Sequence, residues 1–461
     1  MSALRERLLA GVTLLLLVLT VMPLPARSGA RKPNVVFIMM DDLGYGDIGS
    51  YGVSDIRTPG LDRLAREGVR LTNYYTSGST CTPTRAAFMT GRYQQRVGLV
   101  TAIPALDRRT GLPASETSLA RMLKGGGYRT ALVGKWHLGL ELEFGPNAHG
   151  FDEFFGFRAG HLDYYSHRTF FGIPDLWENT ERVDRPGYLT DLITDRAVAF
   201  VERQAGGPFF LFLSYNAPHD AWQAPDHPED VRSRERWDPG NKQEFARRLE
   251  KWSAGSRSVY ARMVERADAG IAKVLDALDR RGLARDTLVV FSSDNGGERF
   301  SRNWPLFHHK GSLWEGGIHV PCLVRWPAAL PAEKVSDQPV ITMDLTATIL
   351  AAAGIEPPPG RRLDGIDVLP ILQGNRPPVE RTFFWKADGG DRRQRAVRKG
   401  KWKYLGDGAD TPIHFLFDLD EDVAERRNLW YEHPEIAAEL EKLLERWEKE
   451  VKSAGGRLPS R

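Results

Sequence analysis

The chain has 461 residues, 41% hydrophobic, 27% charged and 10% aromatic, enough for one large domain and a smaller one around a sizeable core. Its 63 Lys+Arg against 60 Asp+Glu leave a formal charge of +3, too balanced for a protein whose main work is gripping nucleic acid. Two cysteines, Cys81 and Cys322, exclude a disulfide scaffold and a four-cysteine zinc site, and 45 Gly and 29 Pro without a period exclude a collagen-like or repeat architecture.

In chain order, Arg5 and Arg7 precede an apolar run over residues 8–24, and small residues and prolines follow to Ala30. This predicts a secretory signal peptide over residues 1–30, cut between Ala26 and Ala30, and hence a secreted or periplasmic protein. The alternative is a membrane anchor, but the run is at the short edge of what spans a bilayer, so no stable anchor is expected. No cysteine lies near the cut, and no Asn-x-Ser/Thr sequon occurs anywhere, which favours a bacterial periplasm.

Continuous apolar runs at 34–40, 128–133, 208–214 and 287–292 predict buried strands. Helical segments are predicted between them at 58–67, 116–124, 189–204 and 258–281. In the last, Val264, Ala267, Ile271, Val274, Leu275 and Leu278 form one stripe. The alternation predicts an α/β fold, a mostly parallel sheet sandwiched by helices. Residues 226–257 are charged with little apolar periodicity and read as a surface insertion or lid with a solvated face. Beyond Leu372 come short strand-like pieces at 381–385, 394–398, 402–405 and 414–418. A final helix at 434–453 follows, with Ile436, Leu440, Leu443, Leu444, Trp447 and Val451 on one face. The expected plan is a catalytic α/β domain over 31–372 and a small α+β subdomain over 373–461, an antiparallel sheet packed on one helix.

Ligands of open α/β sheets bind beyond the carboxyl ends of the strands. The four strands end in or lead to Asp41-Asp42, Lys135-Trp136-His137, His219 and Asp294-Asn295. Singly, an Asp or Asn caps helices and a His or Lys in a loop is solvated. Four such endings at one edge predict a site. Asp41, Asp42, Asp294 and Asn295 offer only oxygens and three negative charges, which suits Ca²⁺, or else Mg²⁺, and not zinc. Lys135, His137, His219 and Lys310 would form a cationic rim for an anionic ester. His308-His309-Lys310 lacks a second ligand pair for zinc, so Lys310 is its functional member. The block His161, Asp163, Tyr164, Tyr165, His167 and Arg168 reads either as a substrate wall or as an ordinary loop. His161, Asp163 and Arg168 are its candidate substrate residues.

Ser79-Thr80-Cys81-Thr82-Pro83-Thr84-Arg85, running into Thr90-Gly91-Arg92, resembles the maturation signature Cys-x-Pro-x-Arg of the type I sulfatases. These are arylsulfatase-like and N-acetylgalactosamine-sulfatase-like members of the alkaline phosphatase superfamily. Asp41-Asp42-Leu43-Gly44, Gly134-Lys135-Trp136-His137-Leu138-Gly139 and Asn216-Ala217-Pro218-His219 resemble further family blocks in the family's order. So do Ser293-Asp294-Asn295-Gly296-Gly297, Lys310-Gly311-Ser312, Leu363-Asp364-Gly365 and Phe417-Asp418-Leu419-Asp420. Thr84 departs from the family's usual Ser or Ala, and Asp422-Val423-Ala424-Glu425 lacks its Pro-Gly.

The resemblance implies that Cys81 is the precursor of formylglycine (3-oxoalanine), made by a formylglycine-generating maturation enzyme. Its hydrate would be the nucleophile beside the divalent cation, with Cys81 joining the metal residues. It also implies that Arg85 and Lys135 steady the oxyanion and that His137 removes the second hydroxyl's proton. His219 and Lys310 would bind sulfate oxygens and assist the leaving alcohol. Position 81 is expected just ahead of a helix over 84–90, whose dipole favours negative charge there. The alternative for Cys81 is a disulfide with Cys322, against which Cys322 sits among Val320, Leu323 and Val324 like a core thiol.

The expected function is an exported sulfatase acting on a sulfated carbohydrate or aryl sulfate. A phosphonate monoester or phosphodiester hydrolase with the same site, or a non-catalytic binder of sulfated glycans, are the alternatives.

Overall fold

Asn34–Met40 carries no polar alternation and is buried at every residue, as a strand covered on both faces must be. The computed structural model describes residues 32–52, 55–204, 206–388, 393–408 and 412–454. The signal peptide expected over residues 1–30 lies outside them.

The strands in chain order are β1 (Asn34–Met40), β2 (Val69–Leu71), β3 (Tyr74–Tyr75), β4 (Arg129–Lys135), β5 (Glu153–Phe157) and β6 (Trp177–Glu178). Next come β7 (Glu181–Arg182), β8 (Phe209–Ser214), β9 (Thr287–Ser293), β10 (Cys322–Arg325), β11 (Lys334–Ser336) and β12 (Val340–Ile341). Ten of them form one sheet in the order β11-β2-β10-β9-β1-β8-β4-β5-β6-β7, while β3 pairs with β12. The centre is parallel: β1 lies between β8 and β9, and β8 continues to β4 and β5. β10 runs antiparallel to both of its neighbours, and β6 and β7 form an antiparallel edge hairpin. The sheet is therefore mixed and mostly parallel.

Alternate residues of β1 face opposite cores. Val36, Ile38 and Met40 pack with the helices Pro59–Arg66, Leu189–Glu202 and Arg257–Arg280. Val35, Phe37 and Met39 pack with Cys81–Thr90, Leu119–Gly125 and Thr342–Ala353 on the other face. This is the expected sandwich. The expected helix at 116–124 begins at Leu119, because Ser118 takes the N-cap and its Oγ accepts from the Arg121 N–H at 3.0 Å.

The charged stretch 226–257 is more than a solvated face. It contains the helix Lys242–Trp252, and Trp237 and Trp252 form a small core with Phe170 and Ala221. Its many Arg and Glu obscure the stripe Phe245, Leu249, Trp252 in the sequence.

Near the C-terminus β13 (Thr382–Ala387), β14 (Gln394–Lys399), β15 (Trp402–Asp407) and β16 (Ile413–Asp418) form an antiparallel meander. The helix Pro434–Ala454 packs on it through Ala437, Leu440, Leu444, Trp447 and Val451, in a core shared with Tyr75, Trp314 and Ile318. Among the described residues no helix is long and apolar enough to cross a membrane.

Candidate active site

The carboxyl ends of β1, β4, β8 and β9 converge because β1 is flanked in parallel by β8 and β9, with Met39 opposite Ser214 and Met40 opposite Ser293. Gly134, opposite Ser214, has φ +117°, and a Cβ there would lie 1.8 Å from the Ser214 carbonyl oxygen. Only glycine lets β4 come this close before Lys135. Asp42 and His137, just past two of these ends, hold the left-handed conformation at φ 64° and 55°. Strain of this kind concentrates at functional sites.

Asp41, Asp294, Asn295, Arg85 and Lys135 are wholly buried. Lys135 Nζ donates to Asp41 Oδ2. Asn295 Nδ2 donates to Asp42 Oδ1 at 2.7 Å, and Lys310 Nζ to Asp42 Oδ2 at 2.7 Å. Arg85 reaches Asp294 Oδ2 from Nε at 3.0 Å and Nη2 at 2.8 Å, while its Nη1 donates to Ser214 Oγ at 2.7 Å. His219 Nε2 lies 3.1 Å from Lys310 Nζ and 3.6 Å from Asp42 Oδ2. Two oxygens in this crowd, Asp41 Oδ1 and Asn295 Oδ1, are buried with no hydrogen-bond partner. An orphaned buried oxygen beside two others committed only on one side is the donor pattern a hard divalent cation fits.

Cys81 is 2% exposed, and its Sγ lies within 4.8 Å of ligand atoms of Asp41, Asp42 and His219. It opens the helix Cys81–Thr90, so the helix starts three residues earlier than expected and position 81 is inside its first turn. Pro83 does not delay it, because a proline in the first turn removes an N–H that has no helical partner there anyway. Cys81 and Cys322 are both free, which overturns the disulfide alternative. Burial pushes the Cys322 thiol far up, as for a core thiol.

The charges bias one another. Burial raises the Asp41 pKa, but Lys135, His219, Arg85 and Lys310 outweigh it and hold the carboxyl below the usual range. Asp294 is pushed up to about 6 by burial and by Asp41, against Arg85 and Lys135. Burial and Lys310 would lower His219, yet Asp42, Asp41 and Asp220 raise it well above an ordinary histidine. His137 goes the other way: burial, then Lys135, depress it well below. Its Nε2 lies 3.0 Å from the Ile103 carbonyl oxygen and so carries the proton, leaving Nδ1 as an unpartnered acceptor.

Two residues escaped the sequence reading. Asp220 Oδ1 bridges His219 Nδ1 at 2.7 Å and His161 Nδ1 at 3.0 Å. Its only signal is adjacency to His219. Trp252, from the charged stretch, stands 5.0 Å from the His161 ring. His161 itself joins the site, its ring 5.3 Å from that of His219.

Asp163 does not line it, and Arg168 is half-buried. Asp163 is wholly buried, with Oδ1 accepting from the Tyr165 and Ser166 N–H groups at 3.0 and 2.8 Å and Oδ2 from the Ser233 N–H at 3.0 Å. Arg168 Nη1 donates to the Gly172 carbonyl at 2.9 Å, and Tyr164 stacks on Tyr188. Asp163 shapes the loop, and a short side chain that satisfies backbone N–H groups cannot also face a substrate.

The sulfatase family model matches residues 33–355, and that of the C-terminal region of N-sulphoglucosamine sulphohydrolase matches residues 303–452. Steryl-sulfatase of Mus musculus is 36% identical, over 81% of this chain and 70% of its own. N-acetylgalactosamine-6-sulfatase of Canis lupus familiaris is 34% identical, over 81% of this chain and 72% of its own. Among solved structures, Ps i-CgsB in complex with k-i-k-neocarrahexaose superposes with a TM-score of 0.80 at 31% identity, over 90% of this chain and 93% of that one. With the strand-tip carboxylates, the buried Cys81 and a family match over most of its length, the chain belongs to the sulfatase family.

Proposed function

We propose that this sulfuric ester hydrolase is exported and removes sulfate from a carbohydrate, using a formylglycine made from Cys81 beside a divalent cation. The observation that carries the reading is the pair of unpartnered oxygens, Asp41 Oδ1 and Asn295 Oδ1, in a buried cluster whose ligand atoms reach the Cys81 Sγ. Asp41, Asp42, Asp294 and Asn295 would hold the cation, Ca²⁺ by the all-oxygen donor set and Mg²⁺ as the second choice. Such an ion supplies charge neutralisation at the ester and a lowered pKa for a neighbouring hydroxyl. A formylglycine hydrate supplies a second hydroxyl, through which bound sulfate can be expelled and the aldehyde regenerated.

The chain's own residues do the rest. Arg85 has Nε and Nη2 on Asp294 and Nη1 on Ser214 and the Lys135 carbonyl, so it fixes the carboxylate and contributes positive field. Lys135 does the same for Asp41. His137 holds an unprotonated Nδ1 in a buried setting and can accept a proton there. Lys310 and His219 are the partly open members, with side chains 16% and 10% exposed, and meet the sulfate oxygens and the leaving oxygen from the solvent side. Asp42, Asp41 and Asp220 push the His219 pKa above that of an ordinary histidine, against burial and Lys310, which favours the protonated imidazole as a donor for that task.

The carbohydrate part leans on N-acetylgalactosamine-6-sulfatase as a relative and on the oligosaccharide bound by Ps i-CgsB. Export leans on the signal-peptide pattern of residues 1–30, and a mature N-terminus near Ala26–Ala30 by end sequencing would bear it out. We read residues 31–372 as the catalytic domain and 373–461 as a subdomain. The test combines two measurements on protein from its native host. A peptide spanning Thr80–Arg85 should have lost the sulfur of position 81, and aryl sulfates should be cleaved faster than aryl phosphonates. Retained sulfur without turnover would leave a glycan binder, and preferred phosphonate turnover a phosphoryl-type hydrolase.

A further inference from the structure

Three segments that surround His137 continue away from the active site into one cavity of about 290 Å³. Ile103, whose carbonyl accepts from His137 Nε2 at 3.0 Å, leads to Ala105 and Leu106 in the cavity wall. The chain leaving His137 itself arrives at Leu140, Glu141 and Leu142. Gly160, where a Cβ would lie 2.7 Å from His137 Cε1, follows directly on Arg158 and Ala159. On each path the wall begins within two or three residues of the imidazole contact, about 10 Å of chain at most.

Arg158 is the unusual group in this cavity. It is 2% exposed, its Nε has no hydrogen-bond partner, and its Nη1 makes only a 3.4 Å contact with the Leu140 carbonyl. The guanidinium lies 3.8 Å over the Trp177 ring, which Arg182 approaches to 4.8 Å from the edge hairpin. The carboxylates nearby are taken. Glu141 binds Arg108 at 2.6 Å. Asp175 Oδ2 accepts from the Arg158 and Ala159 backbone N–H groups and its Oδ1 from the Trp177 indole. Neither Arg158 nor Arg182 has a carboxylate within 4.0 Å among the described residues. An unpaired guanidinium out of water is costly, and an aromatic face compensates it only in part. Both arginines line the cavity, and a guanidinium presents the planar fork that recognises sulfate and carboxylate. Leu106 and Leu142, 45% and 51% exposed, give its mouth an apolar rim suited to a sugar face.

We infer that this cavity is a second anion subsite, which takes a sulfate or carboxylate carried by the sugar unit adjoining the one whose ester is cleaved. The inference rests on the reading of the chain as a carbohydrate sulfatase, and it narrows the substrate class to glycans bearing a second negative group near the scissile ester.

The test uses matured enzyme, p-nitrophenyl sulfate and three matched sets of defined monosulfated disaccharides: with a neutral neighbouring ring, with a second sulfate there, and with a uronate carboxylate there. In the matured enzyme without substitutions a second anion of one kind or the other should lower KM at least about tenfold against the neutral set, and the set that responds identifies the anion. Arg158→Gln should abolish that gain relative to p-nitrophenyl sulfate, and Arg158→Lys should keep part of it. Arg182→Gln, at an exposed position that poses no folding problem, should reduce it severalfold. No gain from either anion, or a gain that survives both Gln variants, overturns the subsite. Cleavage of p-nitrophenyl sulfate with none of the saccharides touched overturns the carbohydrate reading beneath it instead, and no cleavage of either overturns the sulfatase reading.

Discussion

Two clusters of buried charge, one under the C-terminal sheet and one at the strand tips, are built alike but finished differently. Under the C-terminal sheet Lys403 Nζ lies 2.8 Å from Glu315 Oε1 and 2.8 Å from Glu425 Oε1. Glu315 Oε2 accepts from the Tyr75 hydroxyl at 2.6 Å and meets His319 Nδ1 at 2.9 Å, and the Glu315 N–H donates to Glu425 Oε2 at 2.6 Å. Each oxygen of both carboxylates meets a protein group, Glu425 Oε1 only as an ion pair with Lys403 and without a hydrogen bond. At the strand tips Asp41, Asp42, Asp294 and Asn295 are just as buried and have Lys135, Lys310 and Arg85 around them, yet Asp41 Oδ1 and Asn295 Oδ1 are left without partners. A carboxylate whose oxygens all meet a protein donor or cation suits a cluster that holds two parts of a fold together, whereas oxygens with neither leave room for a ligand.

This contrast breaks most sharply at Cys81. Cys81→Ala should lower sulfate-ester turnover by at least about 10³-fold while the melting temperature stays within about 2 °C, because the side chain is small and its work is chemical. Substantial activity in that variant would move the reaction elsewhere. Asp294→Ala should remove bound cation, measured by elemental analysis, and take activity below about 1% with it. Chelation of the enzyme without substitutions should also lower its melting temperature by about 2–4 °C, since an ion that binds only the native state stabilises it. A variant that keeps a full complement of metal would show that Asp294 is not a ligand.

The closed cluster should respond in the opposite way. Lys403→Met strands Glu315 and Glu425 and should cost about 3–5 kcal/mol in urea unfolding, with the metal content of the folded fraction unchanged. His149 belongs to neither cluster and gives the smallest effect. Burial, opposed by its bond to the Leu112 carbonyl, depresses it to about 4. A histidine with a folded pKa below its unfolded value of about 6.5 stabilises fully above pH 6.5 and loses that contribution as the pH falls towards 4. About 2 kcal/mol of stability should therefore disappear across that window, and His149→Gln should flatten the slope. An unchanged slope would show that His149 keeps its ordinary affinity for protons.

Much of this was legible along the chain. The strands β1, β8 and β9 announced themselves as unbroken apolar runs because parallel central strands are covered on both faces. The ligands followed as their immediate successors. Short pieces such as β2, β6 and β11 carried too few residues to show a period. The start of the Cys81 helix was hidden by Pro83, and Trp252 by the charges around it.

The order of residues was therefore enough to determine the fold class and the family, and to single out the acidic strand ends and Cys81 as candidates, since each depends on local pattern or on a contiguous motif. Which residues stand beside one another was decided only by the folded chain. Asp220 became the bridge between His161 and His219, Asp163 turned inward to satisfy backbone N–H groups, and Arg158 came to lie unpaired over Trp177. The reason is that a charged side chain's role depends on which partners it lacks as well as on which it has, and partners are drawn together from distant segments only by packing.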